Sequence, residues 1–292
     1  MRHRFRNAFG LFLSGLVAFI APQFGYSEAA PPPLVYKQVG TLPIILSAPH
    51  GGRLDVPGVP VRTGNGQDKE PGKFVATRDS GTEELAYALS EAIERRFGKK
   101  PYVVVSRGHR KFLDPNRPAD TAYEDPDAQP IYADYHATLV SYCRDVQKQF
   151  RQGLLLDLHG QGTSAKTVFR GTHNGKTVSL LRERHGETAV HGDASLLGLL
   201  KARGWTVFPD PLDGREQAAF LGGYIVQTYG GNQGLGIDAV QLEFGQDYRT
   251  DESRAKTAAT LADALADYAT RYLDTPPATT SPAPAKGANC RD

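Results

Sequence analysis

The sequence predicts an α/β fold, with a mostly parallel, mixed central sheet and helices on both faces. Three observations carry that expectation. Apolar runs of strand length alternate with segments of helical period, which is the order of a layered sheet with crossover helices. Two of those runs, Leu42-Pro-Ile-Ile-Leu-Ser-Ala-Pro49 and Gly153-Leu-Leu-Leu-Asp157-Leu, are nearly continuous, as strands buried on both faces are, and each leads into a His-Gly turn. The 292 residues are 40% hydrophobic and 23% charged, which suits one large domain with a well-buried core.

Taken in order, the chain opens with Arg2, Arg4 and Arg6, a short apolar stretch from Ala8 to Ala21, and Ser27-Glu-Ala29 before a proline run. That is the layout of a secretory signal peptide over residues 1–29. The stretch falls short of the roughly 20 apolar residues needed to span a bilayer, so no stable membrane span is expected after cleavage. The first histidine strand follows and ends at His50. Residues 53–73, rich in Gly, Pro and Asp, form a long loop beside it.

Asp79-Ser-Gly-Thr82-Glu83-Glu84-Leu85 opens a helix that runs to Phe97 and stops at Gly98. Tyr102-Val-Val-Val-Ser106 is a buried strand ending in Arg107. Asp114-Pro-Asn116-Arg117-Pro118 has two prolines and must be an ordered loop. A helix over residues 131–150 places Tyr135, Leu139, Tyr142, Cys143 and Val146 on one face. It leads into the second histidine strand, ending at His159. A polar insertion over residues 170–193 is expected as a lid, and its His173, His185 and His191 are not read as ligands. A short helix and strand precede Gly222-Gly223-Tyr224, a substrate-facing loop. Ile237-Asp-Ala-Val-Gln241-Leu-Glu243-Phe244 is a strand with an acid at its end, and a long helix closes the domain, residues 34–274. The Pro/Ala/Thr-rich residues 275–292 lack any apolar period and form a disordered tail.

Net charge is +2 and no dense Lys/Arg stripe occurs, which gives no footprint for nucleic acid. Cys143 reads as a packed thiol and Cys290 as an incidental one. The histidines say more. Strand ends on one edge of an open sheet are where such folds place their chemistry, and two imidazoles delivered there can share one metal ion. Asp157, two residues before His159 and on the same face of the strand, is placed to orient a ligand.

Eight pieces then form a recognisable series: Pro49-His50-Gly-Gly, Arg78-Asp79-Ser-Gly-Thr, Ser106-Arg107, Asp114-Pro-Asn116-Arg117-Pro118, Tyr135-His136, Asp157-Leu-His159-Gly, Gly222-Gly223-Tyr224 and Val240-Gln241-Leu-Glu243. In residues and order they resemble the N-formylglutamate amidohydrolase family, a relative of the zinc carboxypeptidases and aspartoacylases. The resemblance implies a phosphorylase/hydrolase-like fold and one zinc ion (Zn2+) held by His50, His159 and a carboxylate. Asp79 is the implied third ligand and Glu83, one turn on, the alternative; Asp79 also reads as a helix N-cap. Glu243 is implied as general base, with Arg107 and Tyr224 as further catalytic groups, and Asn116 and Arg117 as the grip on a substrate carboxylate.

The expected activity is hydrolysis of an amide bond, in an N-formyl or N-acyl amino acid or a peptide with a free carboxylate, by metal-activated water. An exported cell-wall or poly-γ-glutamate peptidase is the alternative within the same chemistry. A secreted, non-catalytic binding module is the alternative outside it. The signal segment implies a periplasmic or secreted protein.

Overall fold

Why the apolar runs become strands shows in their alternation. In Ile44–Ala48 and Leu154–Gly160 every odd position turns toward one helical layer and every even position toward the other, and nearly all are buried. In the computed structural model, residues 31–64, 74–231 and 234–273 are described. The signal segment, the tail with Cys290 and part of the loop over residues 53–73 lie outside the described residues. The chain divides into two units, Met1–Pro32 and Pro33–Asp292, and every element named below lies in the second.

In chain order these are β1 (Val35–Gln38), β2 (Ile44–Ala48), α1 (Thr82–Phe97), β3 (Tyr102–Ser106), α2 (Ala119–Ala122), α3 (Gln129–Gln149), β4 (Leu154–Gly160), β5 (Thr167–Gly171), α4 (Ser179–His185), α5 (Glu187–His191), α6 (Leu196–Ala202), β6 (Thr206–Phe208), α7 (Tyr224–Tyr229), β7 (Asp238–Phe244) and α8 (Asp251–Tyr272). The strands form one seven-stranded sheet in the order β1-β3-β2-β4-β7-β5-β6. Its centre, β3-β2-β4-β7, is parallel; β1 joins antiparallel to β3 and β5 antiparallel to β7. The sheet is therefore mixed around a parallel core, as expected.

One face carries Leu46, Leu156, Leu158 and Leu242 against Leu85, Leu89 and Ile93 of α1 and Leu261 and Leu265 of α8. The other carries Ile45, Val104, Leu155 and Ala239 against Tyr135, Leu139, Cys143 and Val146 of α3 and Ile225 and Val226 of α7. The Cys143 thiol is buried there, and burial pushes it up to about 12, so it is an inert packing group. No helix among the described residues is long and apolar enough to cross a membrane.

The insertion over residues 170–193 is not a lid. Leu181, Ala189 and Val190 are buried in the core of the first face. Arg170 lies within β5 and gives Nε to Glu216 Oε1 at 2.8 Å and Nη1 to the Val190 carbonyl at 3.0 Å. Its hydrophobic positions were hidden among charged neighbours, and only His173 from this stretch reaches the cleft described next.

Candidate metal centre

The parallel strands end together, and that edge opens into a cleft of about 1380 Å³ lined by His50, Asp79, Asn116, Arg117, His159 and Glu243 among others. His50 follows β2 in a turn that has no room for side chains. A Cβ on Gly51 would run into the backbone nitrogen of Glu83, and one on Gly52 into the backbone of Arg107. His159 is the sixth residue of β4, beside Glu243 in the β4–β7 register. Asp79 comes from the loop before α1. It is not the N-cap: Gly81 holds that position at φ 87° and makes no side-chain cap, so the Asp79 carboxylate is left to face the histidines.

Three atoms make the centre. His50 Nδ1 and His159 Nδ1 are 3.2 Å apart, and Asp79 Oδ2 is 3.4 Å from the first and 3.2 Å from the second. The same three residues form a buried metal-competent cluster. Ligand atoms held about 2.0–2.1 Å from a tetrahedrally coordinated metal ion are about 3.3–3.4 Å from one another, so this triangle has the size of a small metal site.

The outer sides of the rings fix the protons. His50 Nε2 donates to Asp114 Oδ1 at 2.6 Å and His159 Nε2 donates to Asp157 Oδ2 at 2.9 Å. With both Nε2 protons committed to buried carboxylates, both Nδ1 lone pairs face each other and the Asp79 oxygen, an arrangement that only a cation or a proton completes. Burial works against charge on His159, but Asp157 and Asp79 overcome it and hold its proton above the usual imidazole range. Asp79 and Asp114 lie well below the usual carboxylate range: burial opposes this, and the histidines, with Arg110 at Asp114, outweigh it.

The supporting carboxylates are themselves fully engaged. Asp157 Oδ1 accepts from Ser47 Oγ at 2.7 Å, and Ser47 in turn meets the Tyr135 hydroxyl at 2.8 Å. Asp114 accepts from Arg110 Nε at 2.9 Å and Nη2 at 2.8 Å, and from the Asn116 backbone at 2.9 Å. Asp114 as the partner of His50, and Arg110 behind it, were not identified from the sequence. The motif Asp-x-Asn-Arg-Pro held the signal for Asp114, but nothing local pointed to a histidine 64 positions away.

Glu243 closes the cleft beside His159. Its Oε1 accepts from Gln241 Nε2 at 2.8 Å, and burial raises its carboxyl above the usual range, with His159 opposing. Asn116 is buried; its Oδ1 accepts from Ile225 N at 2.8 Å, which directs Nδ2 toward the cleft, 3.3 Å from His159 Nε2. Arg117 lines the same cleft and gives Nη1 to the Asn116 carbonyl at 2.9 Å.

Three expected groups are elsewhere. Arg107 is not among the cleft-lining residues; its Nε donates to Glu83 Oε1 of α1 at 3.1 Å. Glu83 lies outside the metal-competent cluster and does not line the cleft; its Oε1 also accepts from the Tyr87 hydroxyl at 2.9 Å. Tyr224 starts α7 and is not among the cleft-lining residues; its hydroxyl is bonded to Tyr132 and its ring lies edge-on to His136 at 5.7 Å. Gly223 occupies the near side of the cleft in its place, where a Cβ would strike the Asn116 amide.

No family model matches the sequence, and no curated protein does. Among solved structures, N-formylglutamate amidohydrolase from Ralstonia eutropha JMP134 shares the fold at 15% identity and a TM-score of 0.53, over 82% of this chain and 98% of its own. A gene product of Agrobacterium tumefaciens does so at 14% identity and a TM-score of 0.52, over 82% and 95%. A bacteriophage poly-gamma-glutamate hydrolase overlaps less well, at 15% identity and a TM-score of 0.39, over 82% and 88%. The fold implied by the motif resemblance is the fold found.

Proposed function

We propose that this protein is an exported, zinc-dependent amidohydrolase of the N-formylglutamate amidohydrolase type, acting on an amide whose substrate carries a free carboxylate. The observation that carries the reading is the nitrogen–nitrogen–oxygen triangle of His50, His159 and Asp79, with each imidazole backed by a buried carboxylate. His50 Nδ1, His159 Nδ1 and one Asp79 oxygen would hold the ion. Bound there, zinc supplies Lewis acidity toward a carbonyl and acidifies water.

The rest falls to the chain's own groups. Glu243, buried and protonated more readily than a free glutamate, takes the proton of the attacking water and returns it to the leaving nitrogen. Arg117 and the Asn116 amide grip the substrate carboxylate and fix the scissile bond in the cleft. Walls on three sides, from the turn at His50, the loop at Asn116 and the loop at Gly223, bound the cleft around that bond.

The cleft favours an extended substrate among these amides. Sites for a single small molecule run to about 300–1,000 Å³, and this one is about 1380 Å³. A cell-wall or γ-glutamyl peptide is therefore the second reading, and export, read from residues 1–29, fits it.

The test is metal analysis of purified protein, followed by hydrolysis of N-acyl amino acids and γ-glutamyl peptides with and without chelator. One zinc per chain and chelator-sensitive cleavage of carboxylate-bearing amides is the expected result. Full zinc loading with no turnover on either substrate set would make the protein a binding module, and absence of metal affinity would end the reading altogether.

A further inference from the structure

Arg249 lies in the turn between β7 and α8 and lines the cleft. Its guanidinium donates to three backbone carbonyls: Nε to Phe244 at 3.0 Å, Nη2 to Gln161 at 3.2 Å, and Nη1 to Ser80. These acceptors are not a random set. Ser80 follows Asp79, Gln161 stands two residues after His159, and Phe244 follows Glu243. The three segments come from separate parts of the chain and share no other side chain that reaches all of them among the described residues.

The approach is close enough to dictate sequence on the other side. A Cβ on Gly160, between His159 and Gln161, would come within 2.6 Å of Arg249 Cζ. Among the described residues no carboxylate forms a salt bridge with Arg249, although Asp79 and Glu243 are near enough to act on its charge. A planar cation with fixed fork geometry is spent here on neutral carbonyls, where its shape matters more than its charge.

We propose that Arg249 is a positioning residue that holds the Asp79, His159 and Glu243 segments at the spacing a metal ion needs before the ion arrives. The inference rests on the zinc reading above. It adds a residue whose hydrogen bonds go to the backbone beside the ligands and not to the ligand side chains themselves, and that no motif in the sequence marked. Besides the fork, the loop carrying Asp79 is tied to the sheet edge by the Asp79 contacts themselves, by the Asp79 N–H bond to the His50 carbonyl and by Arg78 Nη1 donating to the Gly51 carbonyl at 2.9 Å, none of which reaches the Gln161 or Phe244 carbonyl.

Zinc titration of metal-free wild type, Arg249→Ala and Arg249→Lys against a chromophoric chelator, with melting temperature and the cobalt(II) absorption spectrum on the same samples, tests this. Arg249→Ala should bind zinc about 10- to 100-fold more weakly. It should show an altered cobalt spectrum, and added guanidinium ion should restore part of the affinity. Arg249→Lys keeps the charge and the stem but cannot span three carbonyls, so it should stay weak; it carries the test if the alanine variant does not fold. A folded variant of either kind with wild-type zinc affinity and an unchanged cobalt spectrum overturns the proposal. A wild type that takes up no zinc would instead overturn the metal reading, and the clamp with it.

Discussion

Asp157→Asn changes one atom and should disable the metal centre through a proton. In the wild type Asp157 accepts from Ser47 Oγ on one oxygen and from His159 Nε2 on the other, at 2.7 and 2.9 Å, in a site with no exposure to solvent. Asparagine can keep the first bond with its carbonyl oxygen, but its amide then presents N–H to His159 Nε2. Two donors cannot face each other, so the imidazole takes the other tautomer, with its proton on Nδ1.

Nδ1 is the atom 3.2 Å from both His50 Nδ1 and Asp79 Oδ2. The ligand lone pair is gone unless that proton is removed or the amide flips away from Ser47. Loss of one hydrogen bond to a charged group is worth about 1.5–3 kcal/mol. A 10- to 100-fold loss of metal affinity, usual for such supporting carboxylates, is about 1.4–2.8 kcal/mol, so the two routes agree. The assay is a chelator competition with zinc on both proteins, alongside thermal melts of the metal-free forms. The substituted side chain has almost the same volume, so the fold should survive. Equal zinc affinity in the two proteins would refute the tautomer argument and with it the role given to the buried carboxylates.

Three further outcomes are expected. Glu243→Gln keeps the Gln241 contact and side-chain volume, so zinc content and melting should hold while turnover falls about 10²- to 10⁴-fold; undiminished hydrolysis would remove Glu243 as the base. Arg117→Lys should cost about 1.5–3 kcal/mol in kcat/KM on carboxylate-bearing substrates and far less on their neutral analogues, and equal losses on both would make Arg117 structural. Burial pushes the Asp238 carboxyl, at the start of β7, up to about 6, so the folded chain binds an extra proton between the unfolded value and that point. Stability is then lost as pH rises through that window, by up to about 3 kcal/mol. Asp238→Asn, which can still accept from Leu181 N, should be the flatter of the two in melting temperature from pH 4 to 7, and parallel profiles would contradict this.

What the sequence made legible follows from how local each signal is. The histidine strands declared themselves because burial on both faces leaves a continuous apolar run and the turn after it must be glycine. Asp157 could be paired with His159 because a strand has period two. Asp114 and Arg110 could not be paired with His50, since their meeting depends on how the loop after β3, which ends at Pro115, folds back over the sheet edge. Tyr224 was misjudged for a related reason: a helix that begins at that residue sets the direction of its side chain, and the phase of a six-residue helix is not written in its apolar spacing. Arg107 shows the same limit at a strand end, where one residue beyond the last ladder bond decides between the cleft and α1. The insertion over residues 170–193 looked polar because charged residues outnumber the few apolar ones that anchor it.

The turn after β2 has a consequence for reading distant relatives of this chain. Gly51 and Gly52 are wedged between the start of α1 and the end of β3, and any side chain at either would force those elements apart. A descendant that abandoned its metal could replace His50, Asp79 or Glu243 freely, yet would still need both glycines to close the sheet edge. Survival of a Pro-x-Gly-Gly turn therefore reports an inherited architecture and is silent about activity. The residues that report working chemistry are those whose only reason to be buried is charge, Asp114 and Asp157, because a chain without a cation in that triangle gains by exchanging them for apolar groups.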